Sequence, residues 1–405
     1  MTTSNKAIYI DANNVLSVRD MPTYRPGKNQ ALLQVHYSGI NPADLKHGTE
    51  FGMNDSVSGY EFNGTILEAG SDFPYNEGDD VYGTKMMGLG SEFSAHQDLM
   101  LVEGNSLLAK RPSTLPSADS ATMSLVVRTA ADALFNIMQI PFETLGFPGK
   151  GPTQRAILIW GGASGVGSAA IQLARAAGLD PIITTASRSH HKALMSLGAT
   201  HCFDYSDSNA IADIQAVLNA THQPLQYIFD TVCTEGELSS WKHCEALETA
   251  PTACYVGSLP VEGLKCKWEW CVAARGWELH LPPPIGFRPA DHEQEARLVK
   301  VTDWAAREYG VAIHVPNMSV IEGVHAALEA VQMSGKGQVR FKKFVIKHPL
   351  IAYNPRRTLV HTPSYTVGML VLGVAQVLIA TQGGHSWLEL ALKRDTVTRK
   401  QYRKP

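Results

Sequence analysis

The sequence predicts an α/β protein in which a doubly wound parallel sheet is joined to a compact antiparallel β-barrel. Three observations predict it. Apolar strand, glycine-rich turn and helix follow one another over residues 156–177. Beyond about residue 128, apolar strand-like segments alternate with helical ones, the pattern of a parallel sheet with helices on both faces. Residues 6 to about 125 instead read as short β segments separated by dense turns, the pattern of a small barrel or sandwich.

Residues 31–37 (ALLQVHY) and 64–70 (GTILEAG) are strands of the first region, and Arg25-Pro26-Gly27-Lys28 and Asn76-Glu77-Gly78-Asp79-Asp80 are turns. A helix is predicted over 124–138. The strand at 156–159 leads into the turn Trp160-Gly161-Gly162-Ala163-Ser164-Gly165-Val166-Gly167, and a helix follows at 169–177. A second strand, 181–185, and a helix over 190–198 with a glycine stop come next. Residues 201–205, 227–231 and 253–257 supply three further strands; 321–333 is helical, and Phe344-Val345-Ile346-Lys347 is a final strand. No internal repeat is apparent.

With 405 residues the chain is long enough for two cores. Its 44% hydrophobic and 18% charged residues are ordinary for a globular protein, and a net charge of -3 excludes an electrostatic reason for binding nucleic acid. Cys202, Cys233, Cys244, Cys254, Cys266 and Cys271 form no C-x-x-C pair, which favours a reducing compartment. The first residues lack the apolar core of a signal peptide, so a cytoplasmic protein is expected.

The glycine turn has the flanks of a dinucleotide site. Glycines let the backbone turn tightly and approach a pyrophosphate, and free helix N–H groups face the phosphates. Gly162, Ala163, Ser164, Gly165, Val166 and Gly167 are therefore expected cofactor contacts. About 20 positions beyond such a turn, an acidic residue binds the ribose of NAD, whereas polar or basic residues accept the extra phosphate of NADP. Here the second strand ends in Thr184-Thr185-Ala186-Ser187-Arg188-Ser189 with no Asp or Glu. Ser187, Arg188 and Ser189 can all donate to a phosphate, so NADPH is expected; a merely solvated polar loop is the alternative.

Further motifs are Gly39-Ile40-Asn41-Pro42-Ala43-Asp44-Leu45-Lys46, Gly59-Tyr60-Glu61-Phe62-Asn63-Gly64, Gly78-Asp79-Asp80-Val81-Tyr82-Gly83, and Ser196-Leu197-Gly198-Ala199 with Phe203-Asp204-Tyr205. With these, residues 7 to 347 resemble the medium-chain dehydrogenase/reductase superfamily in its quinone-reductase and enoyl-reductase branch. The resemblance implies a GroES-like β-barrel catalytic domain over 1–127 and 311–348, a Rossmann NADPH-binding domain over 128–310, and a monomer or homodimer. It also implies that Tyr205 lies near the NADPH phosphate, that Asp230-Thr231-Val232 and Val256-Gly257-Ser258 line the nicotinamide cleft, and that Asn41 is a cofactor-binding residue.

Zinc-dependent members place Cys in G-x-C-x-x-D and His in G-H-E; this chain has Asn41 and Tyr60 there, both poor zinc ligands. The four-cysteine structural lobe is also missing, so no metal is expected. What remains is hydride delivery to an activated double bond, for which the protein must polarise a carbonyl and supply a proton. Lys46 is the first candidate catalytic residue, with cofactor orientation as its equal alternative. Tyr60 is the second candidate, with aromatic packing as its alternative. Asp44 and Glu61 are read as structural partners.

Trp160-Gly161-Gly162 and the insert at 141–152 resemble filamentous-fungal, stand-alone (trans-acting) enoyl reductases, which serve polyketide synthases from a separate chain. Leu125-Val126-Val127-Arg128-Thr129-Ala130-Ala131 departs from the glycine-rich version of that motif. The expected activity is reduction of an α,β-unsaturated thioester or enone in secondary metabolism. The substrate is a small molecule or is carrier-protein-bound, and the partner a polyketide synthase. A quinone oxidoreductase and a non-catalytic NADPH-binding subunit are the alternatives.

Residues 349–405 form an extension outside this pattern. The apolar run at 366–381 contains Gln376 and is shorter than a bilayer-spanning helix needs. It is read as a tail anchor, a helix packed on the body, or a disordered extension.

Overall fold

The computed structural model describes residues 5–351, apart from 52, 54, 150–154, 237–238, 261–262 and 282–285, together with the strand residues 367–372 and 375–380. The first half is built from β1 (Asn5–Ile10), β2 (Leu16–Met21), β3 (Gln30–Gly39), helix α1 (Ala43–Phe51), β4 (Ser56–Val57), β5 (Glu61–Ala69), β6 (Asp80–Thr84), β7 (Leu99–Glu103) and β8 (Leu108–Lys110). The long strand β3 lies antiparallel to β5, with Val35 opposite Gly64, and to β7, with Leu33 opposite Met100. Its alternate residues Ala31, Leu33 and Val35 are buried against Phe62, Ile66, Val81, Met100 and Val102. That period of two is the expected signature of a strand with one face in a core. Between β5 and β6 the chain turns at Gly78, whose φ of 84° suits glycine, and Asp79 accepts from the Asn76 N–H at 3.1 Å.

The second half begins with α2 (Ser117–Ala131), which widens into a π-helical turn over Asp132–Ile137. Then come β9 (Ala156–Trp160), α3 (Gly165–Ala176), β10 (Ile182–Thr185), α4 (His191–Leu197), β11 (His201–Phe203), α5 (Ala210–Thr221), β12 (Leu225–Asp230), α6 (Ser240–Glu245), β13 (Thr249–Gly257) and β14 (Trp268–Trp270). The six strands are parallel and ordered β11-β10-β9-β12-β13-β14. Both faces of β9 are covered. Ile157 and Ile159 pack with Ala170, Ile171, Leu173 and Ala174 of α3, whereas Leu158 and Trp160 pack with Ile214, Leu218 and Cys244. A strand buried on both sides reads as a continuous apolar run, which is why AILIW shows no alternation.

A two-stranded ribbon, β15 (Leu279–Leu281) with β16 (Gly286–Arg288), precedes α7 (His292–Arg307). Asp291 caps α7 by accepting from the Gln294 N–H at 2.9 Å, and Leu298, Val301, Trp304 and Ala305 form its buried face. The chain then returns through β17 (Met318–Ile321), α8 (Val324–Gly335) and β18 (Lys343–Lys347). There β18 pairs antiparallel with β3, Val345 opposite Gly39, and parallel with β17. The helix predicted from Ile321 starts at Val324 because Ile321 ends β17 opposite Ile346, and Gly323 breaks the chain with a φ of 85°. Helix α2 begins before the predicted residue 124, directly after Pro116, and its regular part stops at Ala131.

The C-terminal part, Tyr353–Pro405, is a unit of its own. In it β19 (Val367–Leu372) pairs antiparallel with β20 (Ala375–Ala380), Met369 opposite Leu378. This corrects both helical readings of residues 366–381, as an anchor and as a packed helix. Val and Ile, stiff at χ1 and well suited to a pleated strand, make up much of the run. No helix among the described residues is long and apolar enough to cross a membrane. The remaining residues of the expected disordered extension lie outside those described.

Candidate active site

The glycine turn stands at the carboxyl end of β9, where the strand order reverses between β9 and β12. Crevices at that position are where doubly wound sheets bind ligands. Gly161 has a φ of 85°; its N–H donates to Thr185 Oγ1 at 3.1 Å, and the Gly162 N–H donates to the Thr185 carbonyl at 3.0 Å. Ser164 caps α3, its Oγ accepting from the Gly167 N–H at 2.8 Å and lying 2.9 Å from Thr231 Oγ1. Ser168 donates back to the Gly162 carbonyl at 2.9 Å.

Two of the glycines are required by space. A Cβ at Gly162 would lie 2.1 Å from Thr184 Oγ1, and one at Gly167 would lie 2.3 Å from the Gly161 carbonyl oxygen. Gly165 is exposed and its Cβ would meet only Val126 Cγ1 at 3.1 Å. Ala163 and Val166 stand half-buried beside it. Val232 reaches the same turn, its Cγ1 lying 2.7 Å from where a Gly161 Cβ would be. Buried Gly257 ends the neighbouring β13. The crowded glycines thus let the turn pack closely on its own strand and helix, and exposed Gly165 presents the first turn of α3, whose N–H groups fit the pyrophosphate of a dinucleotide.

Past β10, Ser187 leads into a short 3₁₀ turn over Arg188–His190, Arg188 and Ser189 being exposed. Ser187 Oγ lies 3.4 Å from Tyr205 OH. The Arg188 N–H donates to Asp204 Oδ2 at 3.2 Å, and its guanidinium is 3.7 Å from Asp207. The structure brings all four predicted phosphate contacts to one rim. It also places two carboxylates beside them that no sequence rule anticipated, because they come from the loop after β11.

The barrel contributes the other side. Asn41 and Tyr60 are buried, at 4% exposure each, and Lys46 stands half-buried on α1. The Asn41 carboxamide is held inside the protein. Its Nδ2 donates to Glu61 Oε1 at 2.8 Å, and its Oδ1 accepts from Lys343 Nζ at 2.6 Å. Lys343 also donates to Glu61 Oε1 at 2.8 Å. An ammonium therefore holds the carboxamide at the position where zinc-dependent members place a thiolate. The donor set does not fit zinc, and no step is assigned to a metal. Lys343 comes from β18, at the far end of the sequence. Its only signal was a lysine entering an apolar strand, FKKFVIK.

Tyr60 keeps its phenol protonated: burial pushes its pKa well up, and the nearby Asp44 carboxylate adds to this. The Lys85 ammonium lies 5.4 Å from the Tyr60 ring centroid and donates to Ser94 Oγ at 2.8 Å. Burial lowers its pKa to about 8, against the opposing influence of Asp44 and Glu92.

Helix α2 connects the two sides. Glu61 Oε2 accepts from the Leu125 N–H at 2.9 Å, and the next residue, Val126, touches Gly165. One turn of helix thus spans from the Asn41–Tyr60–Glu61 corner to the glycine turn. Two residues further on, Arg128 is 2% exposed and pairs with Glu295 of α7, while Arg275 pairs with Asp132 at 2.6 Å. Arg128 also donates to the Ala273 carbonyl at 2.6 Å. Burial lowers the pKa of Arg128, opposed by Glu295. This buried lattice explains why an arginine stands in the segment 125–131.

Comparison with known proteins agrees with this geometry. The alcohol dehydrogenase GroES-like domain matches residues 27–114, and the zinc-binding dehydrogenase domain matches 165–268. The trans-enoyl reductase himH of Aspergillus japonicus is 34% identical over 214 residues, which cover 50% of this chain and 58% of that protein. This chain thus spans little more than half the length of that relative. The trans-enoyl reductase milB of Cordyceps militaris is 25% identical over 85% of this chain and 98% of its own. The quinone oxidoreductase of Coxiella burnetii shares the fold, with a TM-score of 0.62 at 24% identity, over 86% of this chain and all of its own. A GroES-like barrel, a doubly wound sheet in the order described and dehydrogenase domain models matching part of each give the chain the fold that these dehydrogenases and reductases share.

Proposed function

We propose that this protein is an NADPH-dependent reductase of an activated C=C bond, acting on an α,β-unsaturated thioester presented on a carrier-protein arm by a polyketide synthase. The observation that carries the reading is the α2 bridge. It brings the dinucleotide turn beside a barrel corner in which Asn41, Tyr60 and Lys343 stand where a metal site would be. The names of the fungal relatives support the substrate class.

Bound NADPH supplies the hydride. Gly162 and Gly167 let the turn close tightly so that the start of α3 would hold its pyrophosphate, and Ser187, Arg188, Ser189 and Tyr205 would hold its 2′-phosphate, which would select NADPH over NADH. Val232 and Gly257 would line the nicotinamide end of the site. Lys46 donates to the thioester carbonyl, stabilising the enolate that develops there, and Tyr60 supplies the α-carbon proton. Asn41 acts through its neighbours, holding the start of α1 and so the direction of Lys46.

Purified protein mixed with NADPH and a crotonyl thioester should oxidise the cofactor, and NADH should serve much less well. Absence of oxidation across several enoyl thioesters, together with rapid oxidation by a quinone, would replace this reading with a quinone reductase. Tight NADPH binding without turnover of either would leave a non-catalytic subunit.

A further inference from the structure

The rim that would hold the 2′-phosphate carries carboxylates as well as hydroxyls, and the sheet explains why. Strand β10 runs parallel to β11, Thr185 opposite Phe203, and the Ala186 N–H donates to the Phe203 carbonyl at 2.9 Å. The two loops therefore leave the carboxyl edge of the sheet side by side. One delivers Ser187 and Arg188, the other Asp204, Tyr205 and Asp207. Ser187 Oγ lies 3.4 Å from Tyr205 OH, and the Arg188 N–H donates to Asp204 Oδ2 at 3.2 Å. The Arg188 guanidinium stands 3.7 Å from Asp207 Oδ2.

Both carboxylates are fixed by their own turn. Asp204 Oδ1 accepts from the Ser206 hydroxyl at 2.7 Å and from the Ser206 N–H at 3.0 Å. Those bonds, together with the Arg188 N–H, hold the Asp204 carboxyl below its usual range. Asp207 Oδ1 accepts from the Asn209 N–H at 3.0 Å, which leaves Oδ2 to face Arg188. Arg188 is the loose member. Its side chain is 78% exposed, and 3.7 Å is too long for a hydrogen bond. An exposed ion pair of this kind contributes little. A phosphate, by contrast, takes a guanidinium through two parallel N–H···O bonds. The same side chain thus has two anionic partners and cannot serve both at full strength.

We propose that Asp207 is a specificity-determining residue of the cofactor site, drawing Arg188 away from the 2′-phosphate and so restraining the preference for NADPH over NADH. This role rests on the reading of the protein as an NADPH enzyme. To hold the phosphate, Arg188 must leave Asp207. Asp204 and Asp207 then oppose the phosphate charge, one guanidinium standing against two carboxylates. At physiological salt such opposition acts over roughly 8 Å, and NADH, with a hydroxyl in place of the phosphate, escapes it. Both Asp204 oxygens are bonded to the backbone of the rim. Asp207 commits one oxygen to its turn and the other to Arg188, which makes it the adjustable member. The two residues lie 19 positions apart by number, on loops that only the β10–β11 pairing brings together.

Asp207→Asn removes the charge and keeps an oxygen for the Asn209 N–H, so its urea midpoint should match that of the wild type. Calorimetry with adenosine 2′,5′-bisphosphate, and with 5′-AMP as the ligand lacking the 2′-phosphate, reads the site without turnover. Asp207→Asn should bind the bisphosphate about fivefold more tightly at low salt and 5′-AMP no differently. About 0.5 M salt should erase most of the gain, and in an Arg188→Gln background the gain should vanish. If Asp207→Asn does not fold, Asp207→Ser, which also offers an oxygen to that N–H, is read in the same way. A folded variant with wild-type affinity for the bisphosphate would overturn the role. So would equal tightening toward 5′-AMP, or a gain that survives Arg188→Gln, since repulsion without competition explains both. A bisphosphate preference that appears only in Asp207→Asn would show the competition at its strongest. If neither wild type nor variant prefers the bisphosphate to 5′-AMP, the NADPH reading itself falls, and the role of Asp207 with it.

Discussion

Lys85 shows how little a single residue's sequence context says about its state. Within DDVYGTKMMG it reads as an ordinary polar residue at a strand end, yet it is 7% exposed and its nitrogen reaches Ser94. Burial lowers its pKa from 10.5 to about 8. Between those values the unfolded chain binds more protons than the folded one, so the wild type gains stability as pH rises through that window. Lys85→Met removes the buried charge and should stabilise the protein at pH 7 by roughly 1 kcal/mol. That advantage should shrink above pH 8, as the wild-type amine sheds its proton. Urea melts of both proteins at pH 7 and at pH 9.5 check this; a methionine variant less stable at pH 7 would contradict it. Asp44 and Glu61 were legible as buried partners of other groups. Their partners were not, since His96 lies 52 residues from Asp44 and Lys343 lies 282 from Glu61.

Among the elements, the strand–turn–helix at 156–176 was the most legible, because local rules suffice for it: an apolar run, crowded glycines and a serine cap. Replacing glycine by alanine inside a helix usually stabilises by about 1 kcal/mol. Gly167→Ala should do the reverse, since the new methyl would meet the Gly161 carbonyl at 2.3 Å. Quenching of protein fluorescence by NADPH should report an affinity at least tenfold weaker, whereas Gly178→Ala, where a Cβ meets nothing but φ is 77°, should leave affinity unchanged.

Helix α7 was not foreseen. Its apolar face is spaced by polar residues and is explained only by what it packs against. Glu295 on that face accepts from Arg128, Ser106, and the N–H groups of Arg275 and Gly276. Burial raises its pKa, but Arg128 and these donors outweigh it, so the carboxylate lies below its usual range and its stabilisation is lost as pH falls through that lowered value. Glu295→Gln leaves Arg128 buried without a counter-charge and should cost about 3 kcal/mol, read as a lower urea midpoint at unchanged slope. A variant as stable as the wild type would show that the two arginines relax toward Asp132.

At the scale of the whole molecule, the order of barrel, doubly wound sheet and returning strand was legible because each part has its own periodicity. The way they meet was not. Leu125 and Val126 look like plain helix interior, yet one binds Glu61 and the other touches the glycine turn. The return of β18 onto β3 brings Lys343 to Asn41 and His348 to Ser38, contacts that exist only once the chain has closed. The apolar C-terminal run misled for a different reason: Val, Leu and Ile suit strand and helix interiors alike, and here they form the β19–β20 pair.

The central claim is hydride transfer from NADPH to the β-carbon of an enoyl thioester. Its most direct measurement is mass spectrometry of the product after incubation with NADPH deuterated at the transferable position. The saturated thioester should carry one deuterium from the cofactor at the β-carbon, and a reaction run in heavy water should place a second label at the α-carbon. Recovery of unreduced, unlabelled thioester while the protein is folded and holds NADPH would contradict the account.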